Sequence, residues 1–321
     1  MIILEVKNLT KKYGDFIAVN GVDFSIEKGE IFGFLGPNGA GKTSTINMLT
    51  GISRPSSGSI SLSGENCIQN IKKAQQRMGI VPDESNLYEE MSGFENLTFC
   101  ASLYGMEKAE REHRAKELLG QFGLADTGKK PFKAYSKGMK RKLTIAAGII
   151  HDPEILFLDE PTTGIDVESA RQIRKLILDL NTKGTTIFLT THYIEEAERL
   201  CHRVGFIVSG KIIKIGTIDK LISEAQQENI VEFSIENSVP SMKEVLSNEF
   251  PSLTIDVIDN NSIKIHSSGP VGLMPFMKFF NRHQIKVYEA KLIRPSLEEV
   301  FIKVTGIGLD KLNKEKEGCR R

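Results

Sequence analysis

From residue 2 the chain advances in short apolar stretches, IILEV, AVNGVDFSI and EIFGFL, interrupted at Gly14, Asn20-Gly21 and Lys28-Gly29. Apolar residues alternating over a few positions between turn formers predict strands joined by tight turns. The last of these strands feeds directly into a glycine-rich loop. From about Ala74 to Ala147 the spacing lengthens to three and four in LTFCASLYGM, AKELLGQFGL and MKRKLTIAAGII, which predicts a helical insertion over about 84–150. The runs ILFLDEP at 155–161 and TTIFLTTH at 185–192 then read as buried strands, with the helical stretch SARQIRKLILDL between them. Strand, helix, strand in that order predicts a parallel sheet.

Beyond the turn Ser209-Gly210 and the run KIIKIGT the sequence becomes more polar near Leu221, where a second domain is expected, over 221–306. Its pattern predicts a strand at 230–235, a helix at 240–249, a hairpin of 253–258 and 262–267 turned at Asp259-Asn260-Asn261, a helix at 270–283 and a strand at 285–290. That βαββαβ order is ferredoxin-like. A last amphipathic helix is expected in PSLEEVFIKVTG, with Ser296 at the cap position and Glu298 and Glu299 in the first turn, where negative charge offsets the helix dipole. The charged tail at 307–321 is expected to be disordered.

Length agrees with this division, because 321 residues exceed one ordinary core. Composition narrows the function: 42 basic residues against 41 acidic ones leave no basic field for a nucleic-acid partner. No stretch has the roughly 20 apolar residues that span a bilayer, and the amino terminus lacks a signal-peptide shape, so a cytoplasmic location is expected. Cys67, Cys100, Cys201 and Cys319 lack metal-site or redox spacing and read as reduced thiols.

The candidate chemistry begins at GPNGAGKTS, residues 36–44, which fits G-x-x-x-x-G-K-[ST] between a strand and a helix. Gly36, Gly39 and Gly41 admit backbone dihedrals closed to other residues, so that successive amides can face phosphate oxygens at a helix N-terminus. Lys42 neutralises phosphate charge and the Thr43 hydroxyl suits magnesium, while Asn38 and Ala40 contribute backbone alone. Pro37 and Ser44 complete the binding set. Asp159 and Glu160 end a buried strand, at the edge where open α/β sheets bind ligands. Two adjacent carboxylates there suit an ATP-bound magnesium: Asp159 would hold the ion and Glu160 would orient or deprotonate the attacking water. His192 ends the next buried strand and so reaches the same edge, within range of a γ-phosphate.

The segment YSKGMKRKL at 135–143 resembles the signature of ATP-binding cassette (ABC) transporter ATPases, in a variant form common among exporters. Ser136 caps a helix whose first turn holds Lys137 and Gly138, a second anion site with no phosphate loop beside it. The resemblance implies that this segment completes the ATP pocket of a second copy or paralogue, two ATP molecules being sandwiched between head-to-tail cassettes. It also implies that Tyr13 in KKYGDFIAV stacks on adenine and that Asp166 in GIDV lies at the dimer contact. The cassette resemblance covers residues 1 to about 220. The fold it implies is an α/β P-loop NTPase with a parallel core sheet, an antiparallel β subdomain and a helical insertion.

The carboxy-terminal region is similar to that of ATPases serving exporters of drugs, antibiotics, lipids or sodium. Separate transmembrane permease subunits, docked near Leu87 to Leu97, are implied as partners, with the chain peripheral at the cytoplasmic face of the membrane. One departure stands in VPDESNLYEEM, where Asp83 occupies the place of the family's usual Q-loop glutamine. An aspartate accepts but does not donate, so Asp83 can bind metal and is expected to act as a metal-sensing hinge. A soluble ABC ATPase acting on ribosomes or DNA is the first alternative, but a tandem cassette or a long coiled-coil interruption is absent. A non-hydrolysing ATP-binding regulator is the second, but Glu160 and His192 are present.

Overall fold

The computed structural model describes residues 1–225, 229–236, 242–259, 261–269, 271–293 and 295–307. The expected disordered tail after 307, Cys319, positions 240–241 of the expected helix and Asn260 of the expected turn lie outside them. The chain divides into two compact units, Met1–Ile218 with residues from Val304 on, and Asp219–Lys303.

In the first unit, β1 (Ile2–Tyr13) and β2 (Phe16–Glu27) form a long hairpin that is extended by β4 (Ser57–Leu62) and β5 (Glu65–Asn66) in an antiparallel sheet of order β2-β1-β4-β5. The second sheet holds β3 (Ile31–Leu35), β6 (Met78–Val81), β7 (Ile155–Asp159), β8 (Thr186–Thr191), β9 (Arg203–Val208) and β10 (Lys211–Thr217). Its order is β10-β9-β3-β8-β7-β6, parallel except for β10. Strands β3, β7 and β8 are buried at every position, as their unbroken apolar runs require in a sheet covered on both faces. Phe24 from the antiparallel sheet lies 5.6 Å from Phe32, 5.6 Å from Phe34 and 6.0 Å from Phe188 of the parallel one, locking the two sheets through one aromatic cluster.

The helices are α1 (Lys42–Leu49), α2 (Ile71–Gln75), α3 (Gly93–Leu103), α4 (Lys108–Gln121), α5 (Lys137–Gly148), α6 (Val167–Thr182) and α7 (Ile194–Leu200), and α8 (Ile218–Ala225) starts on the last residue of this stretch and runs into the second unit. Helix α3 opens with a complete capping box between Ser92 and Glu95. The reading of 74 onward as helical needs correction at Met78–Val81, which is a strand. Four residues containing a glycine carry no period, and the segment becomes β only by pairing with β7 at the sheet edge.

In the second unit, β11 (Asn229–Ile235), α9 (Met242–Glu249), β12 (Thr254–Asp259), β13 (Ser262–Ser267), α10 (Met274–Arg282) and β14 (Val287–Ile293) follow the βαββαβ order. The sheet order β12-β13-β11-β14, antiparallel throughout, is the ferredoxin-like arrangement. Its core packs Val231, Phe233, Ile263 and Ile265 against Phe276, Phe279 and Phe280, with Phe233 and Phe280 at 5.0 Å. Helix α11 (Leu297–Thr305) is capped by Ser296, whose hydroxyl accepts from the Glu299 amide at 3.2 Å.

Candidate active site

The loop leaving β3 turns into α1 beside β9. A Cβ on Gly36 would lie 2.1 Å from the Ile207 carbonyl oxygen, and one on Gly41 2.5 Å from that of Ala18. Gly39 and Gly41 do hold positive φ, 74° and 104°, but Gly36 does not. Its role is therefore close approach to β9, a correction to the dihedral argument. The amides of the first turn of α1 have no intrahelical acceptor and no side-chain cap, so they remain available to an anion.

Lys42 is 5% exposed. Its Nζ donates to the carbonyls of Gly36 at 2.8 Å and Pro37 at 3.2 Å and pairs with Glu160 Oε1 at 3.2 Å. A buried ammonium needs all three of these partners. Glu160, the residue after β7, has φ 48°, a left-handed backbone unusual for a side chain of its size. Its amide is held by the Thr190 carbonyl at 3.1 Å and hydroxyl at 3.2 Å. Its Oε2 accepts from Thr163 Oγ1 at 3.0 Å and from His192 Nδ1 at 2.8 Å. That pairing sets the imidazole with its proton on Nδ1 and leaves Nε2 as the other ring nitrogen able to exchange protons. Burial works to raise the Glu160 carboxyl, but the His192 hydrogen bond and the Lys42 charge together hold it below its ordinary value.

These groups face a cavity of about 410 Å³ lined by Phe16, Ala18, Asn38, Gly39, Gly41, Lys42, Thr43, Ser44, Asp83, Glu160, Thr163 and His192. Phe16, Ala18 and Thr163 escaped the sequence reading. Tyr13, 51% exposed, is not in the lining; its cross-strand partner Phe16 is, and the only sequence signal for it was a second aromatic flanking the Gly14-Asp15 turn. Lys11 Nζ instead lies 4.9 Å from the Tyr13 ring centroid. Asp159 is 4% exposed, outside the lining, and accepts a hydrogen bond from the Thr190 hydroxyl.

Asp83 enters the lining on the loop after β6. Arg141 of α5 donates to the Pro82 carbonyl at 2.6 Å and to the Asp83 carbonyl, and its Nη2 is 3.4 Å from Asp83 Oδ1. Partial burial raises the Asp83 carboxyl despite that cation. Ser136 and Gly138 stand away from this cavity: the Ser136 hydroxyl caps α5 by accepting from the Met139 amide at 3.2 Å. A Cβ on Gly138 would lie 2.3 Å from Ser169 Oγ, so glycine lets α5 meet the start of α6. Asp166 caps α6 through the Ser169 amide at 2.9 Å, a bond that holds its carboxyl below its usual value.

Among the described residues there is no cluster of three or more His, Cys, Asp or Glu able to hold a metal unaided. The nearby donors, the Thr43 hydroxyl and the carboxylates Asp159 and Asp83, are hard oxygens. They fit Mg²⁺, which takes few protein ligands and completes its shell with phosphates and water.

A buried lysine in a glycine-rich turn between a parallel strand and a helix, facing a strand-end carboxylate, defines a P-loop nucleoside triphosphatase. The family model described as ABC transporter matches residues 19–163. The linearmycin resistance ATP-binding protein LnrL of Bacillus subtilis (strain 168) is 36% identical over 314 residues, covering 95% of this chain and 98% of that protein. The daunorubicin resistance ATP-binding protein DrrA3 of Streptomyces coeruleorubidus is 35% identical, with 94% and 96% covered. The Nod factor export ATP-binding protein I of Ralstonia nicotianae is also 35% identical, with 95% and 94% covered. Among solved structures, an ATP-binding subunit of an ABC transporter superposes with TM-score 0.63 at 31% identity, over 69% of this chain and 92% of that one. The chain belongs to the ABC transporter family, as an ATP-binding, ATP-hydrolysing subunit of the exporter type. No helix among the described residues is long and apolar enough to cross a membrane.

Proposed function

We propose that Glu160 is the residue that orients or deprotonates the attacking water, with Lys42 on the transferred phosphate and His192 beside it. The observation that carries this reading is the Glu160 carboxylate held between Lys42 at 3.2 Å and His192 at 2.8 Å on the wall of the cavity. The loop from Gly36 to Ser44 binds the phosphates through its amides. Thr43, Asp159 and Asp83 would hold Mg²⁺, which when bound would neutralise phosphate charge. In ATP binding, phosphate oxygens displace Glu160 from Lys42; the freed carboxylate, still hydrogen-bonded to His192, then accepts a proton from water.

The cassette works as a head-to-tail dimer in which Ser136, Gly138 and Asp166 complete the partner's site and Tyr13 packs on adenine. A solved relative in a dimeric post-hydrolysis state with ADP and Pi, superposing with TM-score 0.62 at 25% identity over 67% of this chain and 98% of its own, supports this. Closure on ATP and reopening after hydrolysis drive separate permease subunits at the cytoplasmic face of the membrane. Docking lies along residues 87–97, where Tyr88 is exposed and edge-on to Phe99 at 5.2 Å. Resistance to linearmycin and daunorubicin and export of Nod factor, by relatives matched nearly end to end, support an organic, drug-like cargo for this subunit. The 221–306 region is an accessory domain of this subunit. The test is ATPase activity of the assembled complex with and without candidate cargo; turnover unaffected by Glu160→Gln removes the catalytic assignment.

A further inference from the structure

One ionisable side chain lies buried behind the site without a part in the chemistry above. Glu196 sits in α7 at 4% exposure, and its Oε1 accepts a 2.6 Å hydrogen bond from the Thr162 hydroxyl. Thr162 belongs to the segment leaving Glu160, and the next residue, Thr163, is one of the donors to Glu160 Oε2. On the other side, Glu196 is carried by α7, the helix that begins two residues after His192. The second oxygen, Oε2, is enclosed and has no hydrogen-bond partner among the described residues.

A buried carboxyl with one oxygen unpaired is unfavourable, and an apolar side chain of similar volume would pack there at lower cost. An acid at this position therefore calls for a reason other than stability. Two loops explain it. Glu160 ends one strand and His192 the next, and the functional pair depends on the spacing of two separate sheet-edge turns. Glu196, carried by the helix that follows His192, bonds across to the segment that follows Glu160.

We propose that Glu196 is a positioning residue: through Thr162 it ties the segment leaving Glu160 to the helix that follows His192 and so holds imidazole and carboxylate at 2.8 Å. Burial first, and with it the nearby Glu160 charge, push the Glu196 carboxyl up, against the Thr162 hydrogen bond. The hydrogen bond to Thr162 is what the site draws from it. The inference rests on the catalytic assignment of Glu160 and His192.

Four variants test it in the full chain: Glu196→Leu, Glu196→Gln, Thr162→Val and the double Glu196→Leu/Thr162→Val, with Glu160→Gln alongside. Glu196→Leu is expected to lower kcat about 10- to 100-fold, as misplacement of a catalytic pair does, with ATP affinity within about twofold and an unfolding temperature no lower than that of the parent. Glu196→Gln, which keeps an acceptor for Thr162, restores most of the rate lost in Glu196→Leu. Thr162→Val reproduces the loss, and the double variant is no slower than either single one, because both remove the same tie. Full kcat in Glu196→Leu, additive losses in the double variant, a Gln variant as slow as the Leu one, or a loss shared equally between kcat and ATP affinity overturns the proposal. Should Glu196→Leu fail to fold, the near-isosteric Thr162→Val decides alone by the same kcat-against-affinity split. A Glu160→Gln variant with undiminished turnover would instead sink the catalytic assignment, which keeps the two failures apart.

Discussion

Replacing Glu160 by Gln keeps the shape of a side chain that makes three contacts, with Lys42 at 3.2 Å, His192 at 2.8 Å and Thr163 at 3.0 Å, while it removes the charge and turns one of the two acceptor oxygens into a donor amide. Two consequences of opposite sign follow. Loss of a positioned proton acceptor lowers kcat about 10²- to 10⁴-fold, equivalent to about 3–5 kcal/mol of barrier. ATP binding should tighten instead. In the free protein the Lys42 ammonium is already occupied by Glu160 and two loop carbonyls, and phosphate has to compete for it. A hydrogen bond between charged partners contributes about 1.5–3 kcal/mol and a neutral acceptor about half of that, so Gln releases about 1.4 kcal/mol to the nucleotide. That corresponds to about tenfold in affinity. Phosphate release in saturating Mg-ATP reads the first effect, and equilibrium titration with a fluorescent ATP analogue reads the second. A variant with kcat within tenfold of the parent and unchanged affinity would falsify both halves of the reasoning.

Asp83→Ala should raise the magnesium concentration for half-maximal ATPase activity about tenfold, read from a magnesium titration at fixed ATP; an unchanged curve removes Asp83 from the metal set. Gly36→Ala brings a Cβ to 2.1 Å from the Ile207 carbonyl oxygen, which backbone must absorb. About 3 kcal/mol of destabilisation is expected, or a thermal midpoint lower by about 6–12 °C, and a midpoint within about 2 °C of the parent by scanning calorimetry refutes it. His151 stacks on Tyr104 at 3.5 Å, and burial pushes its imidazole down from 6.5 to about 4. The unfolded chain therefore takes up this proton first, and the native state loses stability as pH falls from 6.5 toward about 4. Discounted for partial exposure the loss is about 1–2 kcal/mol. His151→Phe, which keeps an aromatic stack, should flatten that part of the pH–stability curve measured by urea unfolding, and an unaltered acid limb counts against the assignment.

The chemistry was legible wherever one short segment carries it. The loop from Gly36 to Ser44, the pair Asp159 and Glu160, and His192 are each fixed by where an apolar run stops, and a buried strand in a parallel sheet can deliver its last residues only to one edge. What stayed hidden depends on partners distant in sequence. Met78–Val81 has no strand signal of its own and is made β by β7. Phe16 joins the cavity because the hairpin β1–β2 folds over the phosphate loop, while its cross-strand partner Tyr13 is not among the lining residues. Gly36 looks like a turn glycine in sequence, yet the constraint on it is the carbonyl of Ile207, 171 residues away by numbering.

Helix α5 shows the same dependence at larger scale. Its first turn meets α6 where Gly138 leaves no room for a Cβ beside Ser169, the residue whose amide Asp166 caps. One turn further on, the buried Arg141 uses its guanidinium on the carbonyls of Pro82 and Asp83. Burial lowers the Arg141 affinity for its proton, with Asp83 the first of the carboxylates opposing that effect. A guanidinium stays charged under such conditions, so the loop bearing Asp83 is bound to α5 by a permanent charge and by backbone, not by the Asp83 side chain alone. The Asp83 side chain therefore sets what the loop offers to the cavity without being what anchors it. Substitution at Asp83 and substitution at Arg141 must then have separable effects: the first on magnesium dependence with the fold intact, the second on the position of the whole 82–83 segment and on stability together.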